Sequence, residues 1–216
     1  MNCETCGKLA VERSMDGRPL QLCEVCWSRL RLQMDFEDLA PTLIRLARQD
    51  LANCFDLMTQ FYQDHKSQDL DGWLARSISL TRAHFYIQHR RYQEALDELS
   101  AAGPMFAPHS PENRERLTSM ALALEGSGQT EDALRQLDDA LMNDPEMPPN
   151  DVLSTLLHYA RICQAHDMEM PSRLNKPLMD AIDRLGLPVP AEARERSLVR
   201  ASLLAHKLRT DPRHAC

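Results

Sequence analysis

The sequence lacks the features of membrane-inserted and secreted proteins. It has no apolar run approaching the roughly 20 residues that a membrane-spanning helix needs. A cysteine pair and a glutamate stand where a secretory signal peptide has a basic and then an apolar segment. Glycine is scarce, with 7 among 216 residues, and β-branched residues are few beside leucine and alanine. We therefore expect an ordered, largely helical protein in the cytoplasm.

Catalytic motifs are absent as well. The sequence contains no glycine-rich phosphate loop, no Gly-x-Ser-x-Gly elbow and no paired carboxylates, and its eight histidines never take the His-Glu-x-x-His spacing. This indicates a protein that is not an enzyme. The net charge of −7 also argues against a nucleic-acid footprint.

Four of the seven cysteines lie near the start of the chain. They form two Cys-x2-Cys pairs separated by sixteen residues, namely Cys3, Cys6, Cys23 and Cys26. Four thiolates at this spacing reach one ion, and structural Zn²⁺ prefers a closed tetrahedron of four sulfurs. A segment of about thirty residues buries too little apolar surface to fold unaided. We therefore predict a structural zinc module over residues 1–34.

The other cysteines are not expected to be sites. Cys54 and Cys163 fall on apolar helical positions, which predicts core residues, and Cys216 is a terminal thiol. Three scattered cysteines fit a reducing compartment better than a disulfide framework.

The segments between and after the cysteine pairs predict the secondary structure of the module. Residues 8–15 and 18–22 flank Asp16-Gly17, a preferred two-residue hairpin turn. The pattern after Cys23 becomes helical, so the first turn of a helix would supply the last two ligands in a treble-clef-like layout. Amides at that helix start would favour the thiolate forms of Cys23 and Cys26.

The first pair, Cys-Glu-Thr-Cys-Gly-Lys, and the second, Leu-Cys-Glu-Val-Cys, resemble known zinc modules. They are similar to the four-cysteine domains at the N-termini of bacterial Clp-type unfoldases and of arginine-kinase activator proteins. Those modules bind partners, so the resemblance implies docking or self-association through residues 1–34. The alternative is that zinc only stabilises the N-terminus. A redox switch or a rubredoxin-like iron site is less favoured, since Trp27 replaces the second glycine of the rubredoxin pattern.

From Asp35 onward the sequence predicts consecutive amphipathic helices. One helix of about six turns is expected over residues 41–63, followed by a partner from about Asp69 to His89. The whole of residues 35–216 is expected to form one helical domain.

Internal repetition is the strongest indication of the fold. Six positions recur at one constant offset along the chain, and the same gap separates two alanines in each copy. The first copy has Ala83, Tyr86, Tyr92, Ala95, Leu99 and Ala102, and the second has Ala121, Leu124, Thr130, Ala133, Leu137 and Ala140. The equal internal gaps predict two copies of one helical hairpin.

This pattern resembles the tetratricopeptide (TPR) repeat, in which small residues of two antiparallel helices meet where the helices cross. The offset is longer than the period of that family by four positions, and the extra residues fall in the linker 103–113. The resemblance implies a mainly α fold: a TPR-like solenoid of helical hairpins, preceded by a zinc-bound β-hairpin and helix. The clearest repeats are expected at about 76–109 and 114–147. In the second copy the signature positions hold Leu117, Met120, Ala121, Leu124, Gly128, Ala133, Leu137, Ala140 and Pro145.

A degenerate third unit is expected at about 151–186. Leu156, Tyr159, Ala160 and Cys163 repeat the first helix, while prolines 171 and 177 delay the second. A capping helix is expected at about 191–209, because the end of a solenoid needs a covering element with a polar outer face.

The TPR resemblance also implies a groove for a segment of another protein, lined by the first helix of each hairpin. Leucines 80 and 122 and Ile87 are expected to be exposed there. Chaperone-binding members clamp a carboxylate with Lys and Asn, but Leu80 and His84 replace them here, which disfavours that partner. The predicted partner-binding residues are Leu80, His84, Ile87 and Gln88 from the first repeat, and Thr118, Leu122 and Glu125 from the second.

Two charge clusters complete the pattern. Seven acids lie between residues 131 and 151 with Arg135 as the only base, whereas the last helix and tail are basic. We interpret both as solvated helix faces, with electrostatic choice of a partner or head-to-tail contact between copies as the alternative.

The sequence therefore favours a non-enzymatic protein–protein interaction adaptor that contains structural Zn²⁺ and a TPR-like groove. The alternative hypothesis is a nucleic-acid-associated regulator that uses the zinc module and the basic C-terminal helix.

Overall fold

The computed structural model describes residues 2–15, 18–142, 144 and 146–186. Within these ranges the chain forms eight α-helices, two short 3-10 turns and one two-stranded antiparallel sheet that precedes the helices. This confirms the mainly α, TPR-like fold expected from the repeats. The bounds are β1 Val11–Met15, β2 Arg18–Leu22, α1 Glu24–Gln49, α2 Leu51–His65, α3 Trp73–Gln88, α4 Tyr92–Ala102, α5 Pro111–Gly126, α6 Thr130–Met142, α7 Pro149–Ala165 and α8 Asn175–Arg184.

The chain divides into two compact units, residues 1–106 and 107–216. The division falls in the linker 103–113, where the sequence placed the residues that lengthen the repeat offset. In the part of each unit that the structure describes there are two consecutive helical hairpins, α1 with α2 and α3 with α4 in the first, and α5 with α6 and α7 with α8 in the second.

The first unit begins with the predicted hairpin. Val11 of β1 lies opposite Leu22 of β2, and Met15 lies opposite Arg18. The first strand begins at residue 11, three residues later than expected. The Asp16-Gly17 turn lies outside the described residues.

The single helix predicted over residues 41–63 is wrong. Helix α1 starts directly after Cys23, passes through position 34 and ends at Gln49, and α2 begins two residues later. Asp50 separates them with an extended backbone, φ −154° and ψ 100°. Its carboxylate accepts hydrogen bonds from the backbone N–H of Asn53 at 3.1 Å and from the side-chain amide of Asn53 at 2.7 Å. An aspartate that caps a new helix in this way stops the preceding one, although the apolar pattern continues across it.

Helix α3 begins at Trp73 rather than Asp69, for a similar reason. The Asp69 carboxylate accepts hydrogen bonds from the backbone N–H groups of Leu74 and Ala75, at 2.9 and 3.1 Å. The hydrophobic core between α1, α2 and α3 includes Cys54, as predicted. It consists of Leu32, Leu43, Ala47, Cys54, Met58, Leu74, Ile78 and Phe85.

The small residues of the repeats lie where the sequence placed them. Ala83 and Ala95 in the α3–α4 hairpin, and Ala121 and Ala133 in the α5–α6 hairpin, have no exposed surface. A methyl side chain lets two helices approach closely at the crossing, which explains the spacing of these alanines. The burial predicted for these four alanines is confirmed.

The second unit contains the third hairpin as well. Its second helix follows Pro171 and a 3-10 turn at residues 172–174, but Pro177 does not delay it as expected, because that proline lies in the first turn of α8. Cys163 is buried as expected. The capping helix expected at 191–209, Pro145 and Cys216 lie outside the described residues. The buried core of this unit is Ala121, Ala133, Leu134, Leu137, Leu153, Leu156, Tyr159, Ile162, Cys163, Leu174, Leu178, Ala181 and Ile182.

The acidic cluster of residues 131–151 is not entirely a solvated face, which corrects that interpretation. Asp144 is only 6% exposed and Arg114 contacts it from the first turn of α5. A further arginine, Arg173, pairs with Asp138 of α6. Some of these acidic side chains therefore form ion pairs that connect elements within the unit.

None of the helices in the described part of the chain is long and apolar enough to cross a bilayer.

Candidate metal centre and partner-binding faces

The first cysteine pair lies in a tight backbone knuckle. The N–H of Cys3 donates to the carbonyl of Lys8 at 2.7 Å, and the N–H of Gly7 donates to the carbonyl of Cys3 at 2.9 Å. Gly7 has φ +72°, a left-handed conformation that glycine adopts without a Cβ clash. This turn directs the side chains of Cys3 and Cys6 to one side.

The second pair lies at the start of α1. Cys23 occupies the N-cap position and Cys26 lies in the first turn, which confirms that the helix start supplies both residues. The backbone N–H of Glu4 donates to the carbonyl of Gln21 at 2.9 Å. That hydrogen bond joins the first knuckle to β2 and so brings the two pairs together.

The four sulfurs form a single cluster. The Sγ atoms of Cys3, Cys6, Cys23 and Cys26 all lie within 4.8 Å of one another, and those of Cys6 and Cys23 are 3.6 Å apart. A tetrahedron with Zn–S bonds of about 2.3 Å has edges of about 3.8 Å, so this spacing fits a four-sulfur zinc site. None of the four forms a disulfide. The donor set and its geometry thus fit a structural zinc ion.

The cysteines of the cluster differ in the direction in which their surroundings shift the thiol pKa. Hydrogen bonding to the backbone of Cys23 lowers the pKa of Cys3 to about 6, and hydrogen bonding to the backbone of Cys26 lowers the pKa of Cys23. Burial and then the neighbouring thiols raise the pKa of Cys26, contrary to the expectation that the helix start alone would favour its thiolate. Four adjacent thiolates repel one another, and a bound divalent cation supplies the charge that offsets this repulsion.

A small core supports the cluster. Cys3, Ala10 and Leu22 are buried against Trp27 and Leu30. Three buried side chains make a very small hydrophobic core, which agrees with the prediction that this segment needs a metal.

Two polar contacts fix α1 at the edge of this module. The guanidinium of Arg13 lies 5.3 Å from the ring centroid of Trp27 and pairs with Glu24. The hydroxyl of Ser28 donates to the carbonyl of Gln68 at 2.6 Å, so α1 is tied to the segment between α2 and α3 within the same unit.

The partner-binding residues predicted on α3 differ in their exposure. Leu80 is only 5% exposed, so the expectation that it is an exposed apolar residue is wrong. His84 and Ile87 are half-buried and Gln88 is exposed. We name Leu80, His84, Ile87 and Gln88 the α3 face.

The residues predicted on α5 lie together on one side of that helix. Thr118, Leu122 and Glu125 are all half-buried, and we name them the α5 face. Glu125 forms an ion pair with Arg161 of α7. The first helices of two successive hairpins therefore approach each other on this side of the second unit.

Sequence reasoning missed two residues near the α5 face. Arg161 is 56% exposed in its side chain, and it takes the position of Leu122 when the third unit is aligned on the second by matching Ala160 with Ala121. The pKa of His158 is lowered by burial, then by the charge of Arg161, against a smaller opposing effect of Glu125. Aligning the third unit on the second could have identified Arg161 from the sequence, because this alignment places it at the position of Leu122.

Comparison with known proteins supports the fold assignment. No known protein family and no curated protein matches the sequence. Two solved structures are similar, a kinesin light chain-like protein from Podosopora anserina with nearly identical TPR-like repeats and a single-substitution variant of it. Each has a TM-score of 0.50 and 16% identity, with 86% of this chain and 89% of the other chain covered. At this identity the similarity establishes a TPR-like fold.

Proposed function

We propose that the protein is a non-enzymatic, cytoplasmic adaptor that holds an extended or helical segment of another protein. The observation that carries the proposal is the α5 face, where Leu122 lies half-buried beside the Glu125–Arg161 ion pair. An apolar side chain bordered by a polar pair is typical of partner sites, in which an apolar anchor gives affinity and charges give register. The α3 face, with Gln88 exposed, offers a second contact surface on the first unit.

The same proposal assigns a structural role to zinc. Cys3, Cys6, Cys23 and Cys26 would hold one Zn²⁺ in a closed tetrahedron that leaves no open position for a substrate. The ion would keep β1, β2 and the start of α1 folded. The exposed Leu9 and Val11, at 84% and 56%, would then serve docking or self-association by the module.

No observation favours the nucleic-acid alternative. That alternative would use the zinc module and the basic C-terminal segment, yet residues 1–34 carry five basic and four acidic side chains and the whole chain has a net charge of −7, which disfavours binding to phosphates.

The experiment is an unbiased peptide selection. Purified full-length protein, loaded with zinc, is used to select from a displayed library of random peptides, and enriched peptides are tested for binding in solution. The proposal predicts enriched sequences with an apolar anchor that protect α5 and α7 from hydrogen exchange. If the enriched peptides protected only residues 2–30 from hydrogen exchange, the partner site would lie on the zinc module instead. Failure to enrich any sequence would contradict the proposal.

A further inference from the structure

Helix α1 belongs both to the sulfur cluster and to the helical core of the first unit. Cys23 lies at its N-cap and Cys26 in its first turn, while Leu32 of the same helix is buried in the core with α2 and α3. The helix is continuous from Glu24 to Gln49. Successive backbone hydrogen bonds join the turns of a helix, so a displacement of one turn displaces the next. The sulfur cluster therefore helps to set the position of α1 against the rest of the unit.

Two residues that closely follow Cys26 on α1 contact the segment between α2 and α3. The hydroxyl of Ser28 donates to the carbonyl of Gln68 at 2.6 Å, and Nη1 of Arg29 lies 3.6 Å from a carboxylate oxygen of Asp71. Both contacts need the start of α1 to stay where the sulfur cluster places it. They connect the zinc module to residues 66–72, which we name the α2–α3 segment.

The α2–α3 segment in turn stabilises the start of α3. The carboxylate of Asp71 accepts a hydrogen bond from the backbone N–H of Trp73 at 3.2 Å, and its carbonyl accepts one from Nη1 of Arg76 at 2.7 Å. Asp69 accepts from the next two backbone N–H groups, as described above. The first N–H groups of a helix have no acceptor within the helix, so these aspartates supply what the start of α3 needs. The residue that pairs with Arg29 is thus also a residue that caps α3.

The two tryptophans of the sequence lie at the two ends of this connection. Trp27 packs against the small core beside the sulfur cluster. Trp73 packs against the separate core of α1, α2 and α3, and its ring meets that of Phe36 of α1 edge to face, with the centroids 6.3 Å apart. A variant that lacks Trp27 therefore has one fluorophore, and that fluorophore lies at the start of α3.

We propose that the metal state of the sulfur cluster controls the order of the start of α3. With zinc held by the four cysteines, Ser28 and Arg29 keep the α2–α3 segment in place; without zinc, this segment and the first turn of α3 open. The fold thus contains a metal-responsive device that connects the zinc module to the helix bearing the α3 face. The inference rests on zinc binding by the cluster, and it does not depend on partner binding at the α5 face.

The test follows Trp73 in full-length Trp27→Phe, with metal content checked by elemental analysis. Zinc-loaded protein is compared with two zinc-free forms, one made by chelation and one by the further changes Cys3→Ser and Cys6→Ser, which leave every residue of α1 unaltered. Both zinc-free forms are expected to show stronger acrylamide quenching of Trp73 and about tenfold faster hydrogen exchange in residues 66–76, because two contacts of that segment are lost.

Residues 150–165 of the second unit serve as the internal control and are expected to exchange alike in all three forms. Unchanged quenching of Trp73 and unchanged exchange of residues 66–76 in zinc-free protein would overturn the proposal. Equally accelerated exchange in residues 150–165 would show general unfolding and would also overturn it. So would a purified protein that contains no zinc and takes none up.

A second comparison tests the two connecting residues. The double variant Ser28→Ala, Arg29→Gln removes both contacts and leaves the four cysteines in place. Its zinc-loaded form is expected to exchange residues 66–76 as fast as the zinc-free protein, so that chelation adds no further change. Arg31→Gln removes a cation from an exposed position of the same helix and is expected to keep the response of the wild type. A full response to chelation in the double variant would overturn the proposal.

Discussion

Arg114 and Asp144 form a buried ion pair, with Nη1 and Oδ2 2.9 Å apart and side chains only 13% and 7% exposed. The same guanidinium donates from Nε to Asp151 at 3.0 Å, and from Nη1 to the carbonyl of His109 at 2.7 Å. Arg114 thus connects the start of α5 to the segment after α6 and to the first turn of α7. Pairing of this kind holds three elements of the second unit in register.

Replacement of Asp144 by Ala is expected to lower the free energy of unfolding by about 1.5–3 kcal/mol, because it removes a buried hydrogen bond between charged groups while Asp151 still pairs with the guanidinium. Urea denaturation of the full-length protein measures the change. Asp151→Ala is the matched control, since that side chain is 43% exposed and its contribution is expected to be about 1 kcal/mol or less. If both variants lost the same unfolding free energy, the burial of Asp144 would not strengthen its ion pair with Arg114.

The packing at the helix crossing is tested by Ala121→Leu. Ala121 has no exposed surface, so three added carbon atoms must displace α6, and a loss of about 1–3 kcal/mol in stability is expected. Ala101→Leu, an exposed position on α4, is expected to change stability by less than about 0.5 kcal/mol. A thermal midpoint that is unchanged in Ala121→Leu would mean that this alanine is not at a close crossing.

Metal content tests the sulfur cluster. The purified wild type is expected to contain one zinc per chain by elemental analysis, and Cys23→Ser to contain much less, because the tetrahedron loses a thiolate. Chelation is expected to remove hydrogen-exchange protection from residues 2–22 first. Cys163→Ala, which changes a cysteine of the second unit, controls for a general effect of cysteine loss. Full zinc retention by Cys23→Ser would refute the assignment of that ligand.

The lowered pKa of His158 leads us to expect that the stability of the protein depends on pH. Burial and Arg161 lower its pKa below the usual 6.5, so the unfolded chain takes up a proton at a higher pH than the folded chain. Its contribution to stability is therefore present above about pH 6.5 and is lost as pH falls through the lower pKa of the folded chain. In His158→Gln the decline in unfolding free energy between pH 7 and pH 5 is expected to be shallower than in the wild type. Parallel declines would contradict the assignment.

Much of the fold was predictable because its determinants are local or periodic. The alanines 83, 95, 121 and 133 recur at equal gaps, and all four are fully buried. The paired cysteines predicted the sulfur cluster because spacing within each pair fixes the geometry of a knuckle. These features depend on short-range chain geometry, which the sequence contains directly.

The remaining features depend on which side chains meet across the structure. The break at Asp50 was missed because the apolar stripe continues through it, and only the capping contact with Asn53 reveals the new helix. The burial of Asp144 was missed because its partner, Arg114, lies two helices earlier in the sequence and no periodicity connects the two. Leu80 was expected to be exposed from its repeat position alone, yet it is buried.

The most direct test of the adaptor proposal is the affinity of one selected peptide for two variants, measured by isothermal titration calorimetry. Leu122→Arg changes the apolar residue of the α5 face, and Leu70→Arg makes the same change at a 53% exposed leucine between α2 and α3. The proposal predicts that Leu122→Arg raises the dissociation constant by about tenfold or more, a loss of about 1.4 kcal/mol, while Leu70→Arg leaves it unchanged. Equal affinities for the wild type and Leu122→Arg, with both proteins folded by circular dichroism, would contradict binding at the α5 face.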